Sequence, residues 1–237
     1  MPRAYDRHVP QPTGEAALGL RERKKQRTRA TLVDVAARLC AEQGYERTTV
    51  DQIAAGADVS PRTFSRYFPN KEAVIAALME EISEQVADAL TRQPHDITEH
   101  EALVRAHTEV FRPAEHGQPD AMSFDRMRGF LSIVNSTPML GLAAFTFRPD
   151  GSTHAVVEAI AARMGLPVTA TPVRVVFDTW AVLMATALGR PGSDAADPRI
   201  VSDRIEETFA IFTRLWKPWH PPADREAEQP PSGGPER

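Results

Sequence analysis

Arg62 and Arg66 stand four residues apart, a spacing that puts both guanidinium groups on one face of a helix. A guanidinium presented this way donates two parallel hydrogen bonds to a phosphate or to O6 and N7 of a guanine. Thr63, Ser65 and Tyr67 surround the pair with short polar donors, and Lys71 follows one helical turn later. Catalytic alternatives find little support. The chain has no HExxH, no glycine-rich phosphate loop and no GxSxG. Its 7 histidines are scattered, and the spacings of His95, His100 and His116 match no usual metal-ligand set. The expectation is a binding protein rather than an enzyme, with no cofactor and no metal. The single Cys40 rules out an internal disulfide and lies on an apolar helix face, where a buried thiol is expected.

The elements that must hold these side chains run from Thr48 to Lys71. Thr49 and Gln52 have the spacing of a capping box in front of Val50, Ile53, Ala54 and Ala57. Asp58-Val59 breaks that helix. Ser60-Pro61 restarts it with a good N-cap and a proline at the first helical position. The second helix buries Phe64 and Phe68 and shows Arg62, Thr63, Ser65 and Arg66; Pro69-Asn70 closes it, and Asn70 caps the next. Two helices joined by so short a turn have the shape of a helix-turn-helix. From spacing alone the same pattern also describes two helices of an ordinary all-α core with a polar face outward.

The charge distribution separates the head from the rest. Net charge is −4 over 237 residues, yet residues 21–71 hold 11 Lys/Arg against 6 Asp/Glu, whereas residues 72–216 hold 12 against 20. A basic third on an acidic body is the asymmetry of a nucleic-acid-binding head on a non-binding scaffold. The run Arg21, Arg23, Lys24, Lys25, Arg27, Arg29 opens a first helix over 21–43 that ends at Gly44. Cations at that end oppose the helix dipole, so phosphate contact is one reason to keep them there and a solvated charged face is the other. Residues 1–20 carry three prolines and no periodic face and are expected to be a disordered arm; 217–237, with six prolines, are expected to be a disordered tail.

Between these ends the class is all-α: an N-terminal three-helix head over 21–71 and a larger helical domain over 72–216. A long helix from Lys71 to Gln93, about 35 Å at 1.5 Å per residue, links the two. Helical patterns follow at 97–111, 120–136, 139–165 (interrupted at Arg148-Pro149-Asp150-Gly151-Ser152, so two helices or one with a kink), 172–189 and 198–216. Segment 172–189 is apolar nearly all round and must be buried on every side. A homodimer in which 172–189 and 198–216 pair with their symmetry mates as a four-helix bundle does this; a central helix in a monomer is the other arrangement. No apolar h-region opens the chain and no run of 18 apolar residues crosses it, so a soluble cytoplasmic protein with no membrane partner is expected.

The head resembles the TetR family of bacterial transcriptional regulators. Gly44-Tyr45, Thr48-Thr49-Val50, Ile53-Ala54, Ala57, Val59-Ser60, Thr63-Phe64, Tyr67-Phe68 and Lys71-Glu72 carry the resemblance, without a gap from about 28 to 75. The resemblance implies an Ω-shaped homodimer on a palindromic operator in double-stranded DNA. It also implies a small-molecule effector whose binding in the C-terminal domain moves the long fourth helix and releases the operator, the behaviour of a repressor. It places Thr49, Tyr67 and Lys71 on phosphates and Arg62, Thr63 and Arg66 on base edges or phosphates. Arg27 and Arg29 join them from the basic first helix. Two positions depart from the family: Ser65 stands where a phosphate-contacting Tyr is usual, and Asp58 replaces the turn Gly. An effector pocket is expected from Met127, Phe130, Phe145, Phe147, Phe177, Trp180 and Met184, with His107, Asn135, Asp178 and Thr179 as polar orienters and a hydrophobic ligand. These aromatics serve equally well as plain core. The competing function is a sequence-tolerant architectural DNA-binding protein without a ligand, for which the long body after the head has no use.

Overall fold

The computed structural model describes residues 14–118, 121–136, 154–189 and 197–216, with only the backbone for 14–18. All regular structure among them is helical: α1 (Gly14–Gln43), α2 (Val50–Gly56), α3 (Pro61–Tyr67), α4 (Lys71–Thr91), α5 (Glu99–Glu115), α6 (Phe124–Ser136), α7 (Ala155–Met164), α8 (Thr171–Leu188), a 3₁₀ turn at Pro198–Ile200, and α9 (Val201–Leu215).

The head is built by local capping. Thr49 accepts from the Gln52 amide at 3.3 Å while the Gln52 side chain accepts from the Thr49 amide at 3.0 Å, so the capping box forms as expected. Ser60 caps α3 ahead of Pro61, and Asn70 caps α4. The turn between α2 and α3 passes through Asp58 at φ 53°, the left-handed region that a short polar side chain tolerates better than most. Gly44 leaves α1 at φ 84°. Leu32, Val33, Ile53 and Phe64 have no exposed surface, and the Phe64 and Phe68 rings lie 5.9 Å apart between α3, α1 and α4. Gly56 explains itself here. A Cβ on it would stand 2.6 Å from Cγ1 of Val35, so close packing of α2 on α1 offsets the helix-propensity cost of roughly 1 kcal/mol.

The body wraps around α4 and α6. α4 buries Val74, Leu78, Ile82, Val86 and Leu90, packing on α1 at its start and on α5 and α7 further along. α6 lies against α1 over several turns. Gly129 makes this possible, since a Cβ there would fall 2.3 Å from the Ala37 carbonyl oxygen. Ser132 Oγ donates to the Cys40 carbonyl at 2.8 Å, and Arg126 pairs with Asp34 and, at 2.9 Å, with Glu81. α9 is tied to α5 by Arg112 with Asp203 and Glu206 and by Ser202 with Glu115. Arg163, in the last turn of α7, donates to the carbonyls of Gln93, Pro94 and Ile97 and so fixes the α4–α5 loop.

Several expected boundaries change. α1 starts at Gly14, so 14–20 belong to it and not to an arm; Glu-Ala-Ala-Leu is good helix-forming sequence, and the helix continues through the single Gly19 that follows it. α5 runs past Phe111 to Glu115 with Pro113 inside its last turn, and α6 starts at Phe124 rather than Asp120. Of 139–165 only α7 is described, so the interruption at 149–151 lies outside the described residues, as do 1–13 and 217–237. α8 is not buried on every side: Val175 and Val182 are 56% and 57% exposed, on one stripe that also carries the Arg174–Asp178 pair. By length and mean hydropathy (18 residues, 1.2) α8 also meets the measure of a membrane span, contrary to the sequence-based expectation; half of it is buried against other helices, as a core helix requires.

Candidate functional site

Two places gather the residues singled out from sequence: the outer face of the head and a cavity in the body. On the head, Arg62, Ser65 and Arg66 are exposed on α3, with Thr63 and Tyr67 half-buried beside them. Among the described residues neither arginine pairs with a carboxylate; Arg66 lies over the Tyr67 ring, 5.8 Å from its centroid. Ser65 Oγ donates to the Pro61 carbonyl at 3.0 Å, one turn back, so its proton is spent on its own helix while its lone pairs remain outward. Thr63 Oγ1 sits 3.0 Å from Ser60 Oγ. A cleft beside α3 is lined by Lys24, Lys25 and Thr28 of α1 and by Thr63, Arg66 and Tyr67. The cations of α1 and α3 therefore form one surface, with Arg27 exposed on the neighbouring groove formed by α1 and the α2–α3 turn.

Two expected phosphate ligands are engaged inside the protein. Lys71 Nζ donates to the Tyr45 carbonyl at 2.9 Å and lies 4.0 Å from the centroid of the Tyr45 ring. Tyr45 in turn donates to Glu72 at 3.0 Å, and burial, with that carboxylate beside it, pushes its pKa up to about 12. Arg29 pairs with Glu81 at 3.2 Å and lies over Phe68, joining α1 to α4. Both cations were legible as charges, but their tertiary partners were not.

In the body a cavity of about 30 Å³, room for roughly one water, lies between α4, α5, α6, α7 and α8. Of the residues named for an effector pocket, His107, Phe130, Phe177 and Met184 line it. Met127 and Trp180 are buried but do not line it, and Phe147 lies outside the described residues, as does Phe145. His107 is not a free orienter. The Trp180 indole N–H can only donate, so His107 Nε2 accepts it at 3.4 Å and Nδ1 carries the proton to the Leu103 carbonyl at 2.8 Å. Burial pushes the His107 pKa down to about 4, against the pull of the Leu103 bond, which keeps the ring neutral. Asp178 is exposed and paired with Arg174, away from the cavity.

The polar pair that does line the cavity is Ser83 with His154, Oγ to Nδ1 at 2.7 Å. Sequence reading missed both. Ser83 had a signal: it stands alone in the apolar row of Met79, Ile82 and Val86 on α4. His154 had none, because it precedes α7 and reaches Ser83 only through the packing of α7 on α4.

The pattern describing bacterial regulatory proteins of the tetR family matches residues 32–78, which span α2, α3 and the caps around them. The HTH-type transcriptional regulator TcmR of Streptomyces glaucescens is 35% identical over 148 residues, 62% of this chain and 65% of that protein, so the match stops short of two thirds of the relative. An uncharacterised HTH-type transcriptional regulator of Mycobacterium tuberculosis is 25% identical over 188 residues, 79% of this chain and 90% of its own. A crystal structure of Thermus thermophilus FadR, a TetR-family repressor in complex with lauroyl-CoA, overlaps 82% of this chain and 98% of its own at 22% identity and a TM-score of 0.46. The capped helix-turn-helix lies inside the residues that match, so the head of this chain is similar to that of the tetR family of bacterial regulatory proteins.

Proposed function

We propose that this protein is a DNA-binding transcriptional regulator, acting as a repressor: a homodimer holds a palindromic operator and a small hydrophobic effector releases it. The outward arginine pair of α3 carries this reading. Arg62 and Arg66 are exposed, one turn apart and unpaired with acids among the described residues, on a helix capped at its start and anchored by Phe64. Base edges offer what they lack, and each bidentate pair with guanine would contribute about 1–3 kcal/mol of discrimination. Thr49, Tyr67, Ser65 and the α1 cations, Arg27 included, would set register on phosphates. Lys71 and Arg29 would act mainly by holding the head together, through Tyr45 and Glu81.

The body favours a sensor over an architectural binder, because it surrounds a cavity on whose wall α6 and α4 both stand. Phe130 of α6 and Ser83 of α4 line it, while Gly129 and Arg126 on α6 press on α1. A guest that displaced α6 would therefore disturb the head. The test is to select bound fragments from random DNA and then measure Arg62→Ala by mobility shift. Affinity for the selected operator should fall about tenfold or more, as loss of one base contact predicts, with little change on random DNA. An equal fall on both would remove Arg62 as a base reader.

A further inference from the structure

The cavity described above is apolar on almost every side, and its polar corner is chemically specific. Among its described lining residues there is no Lys, Arg, Asp or Glu. His107 contributes a ring face, but both of its nitrogens are satisfied by Leu103 and Trp180. The open hydrogen-bonding capacity belongs to Ser83. Its hydroxyl has one donor and two acceptor sites, and among the described residues its one hydrogen bond, with His154, uses a single site. It is only 4% exposed and stands in the middle of the apolar face of α4, where a polar atom costs stability unless something meets it. The cavity as it stands holds little more than a water, but Met79 of α4 and Met184 of α8 both line it, and unbranched thioether side chains repack readily around a guest.

We propose that the effector is an uncharged, largely apolar aromatic molecule carrying a hydroxyl group that docks on the Ser83–His154 pair. The inference rests on the sensor reading above and adds the ligand class and the residue that selects it. A hydroxyl both donates and accepts, so it extends the Ser83–His154 hydrogen bond by one member whichever way the pair is oriented. A hydrocarbon of the same shape adds no partner to the remaining sites of Ser83. A carboxylate or ammonium loses its hydration without gaining a counter-ion from the described wall.

Three molecules of one shape separate these cases: 2-naphthol, naphthalene and 2-naphthoate, each titrated into the full-length protein and followed by tryptophan fluorescence and thermal shift. The wild-type protein should bind 2-naphthol at least tenfold more tightly than either of the others. Ser83→Ala should bring 2-naphthol to within about twofold of naphthalene, and His154→Phe should reduce the same preference while leaving room for the ring. Equal binding of 2-naphthol and naphthalene by the wild type, tightest binding of 2-naphthoate, or an unchanged preference in Ser83→Ala would overturn the proposal. So would binding of none of the three. A mobility shift of the wild-type protein on its selected operator keeps the two readings apart: absence of any operator defeats the regulator reading, whereas operator binding with no preference for 2-naphthol defeats only the assignment of the ligand.

Discussion

Thr49, Ser60 and Asn70 each satisfy a free amide at the start of a helix, and each such cap is worth about 1 kcal/mol. Their value to function is positional: Thr49 and Asn70 start the helices on either side of α3, and Ser60 fixes where α3 begins and hence where Arg62 and Arg66 point. Thr49→Ala should lower stability by about 1 kcal/mol, read from the urea midpoint. In the body, His107 makes the opposite kind of contribution. Its pKa is pushed down to about 4 in the folded chain, whereas an unfolded histidine titrates near 6.5. The unfolded chain therefore binds the extra proton first, and stability is full above about pH 6.5 and is lost as pH falls toward 4. The loss attributable to this ring should reach about 2 kcal/mol by pH 5. Urea unfolding of the wild type and His107→Gln between pH 7.5 and 5 checks this: the variant should show the shallower decline, and parallel curves would contradict it.

At the scale of elements, α6 is the part whose two faces do different things. Phe130 borders the cavity, while Arg126, Gly129 and Ser132, at three-residue spacing, meet α1 through Asp34, Ala37 and Cys40. Glu81 of α4 joins the same junction, taking both Arg126 and Arg29. Among the described residues the long α4 is thus one link between body and head, and α6 is another, with direct contact to the first helix. Adding a methyl group at this crossing has no soft neighbour to push aside, since the obstruction is the backbone of Ala37. Gly129→Ala should destabilise the protein by about 1–3 kcal/mol, as overpacking does, seen as a fall in Tm, and should alter operator affinity although residue 129 lies outside the DNA-reading face. Unchanged stability and affinity would mean that α1 and α6 separate freely.

For the whole molecule, the stripe on α8 that holds Val175 and Val182 and the exposed Leu215 and Trp216 at the end of α9 leave apolar surface uncovered in a single chain. α8 and α9 pack on each other, so a second copy related by a two-fold axis would cover both at once in a four-helix arrangement. Val175→Asp combined with Val182→Asp should turn a dimer into a monomer in light scattering after size-exclusion chromatography. It should also weaken binding to a palindromic operator far more than binding to a half-site. A dimer that survives both substitutions would place the interface elsewhere.

What could be read before folding was what neighbouring residues decide among themselves. The caps, the Ser-Pro restart and the arginine pair depend on residues within a few positions, and each stands in the structure as its spacing implied. Charge could be counted but not assigned: Lys71 and Arg29 look like Arg62 in a sequence, and only the approach of Tyr45 and Glu81 separates them. The cavity was half legible for the same reason. Large apolar side chains announce a core, but which of them border an empty space depends on how five helices meet. Ser83 and His154, 71 residues apart, become a pair only where α7 crosses α4. Gly129 shows the limit most plainly. Inside a helix a glycine reads as a weakness, and its purpose exists only because another backbone lies against it.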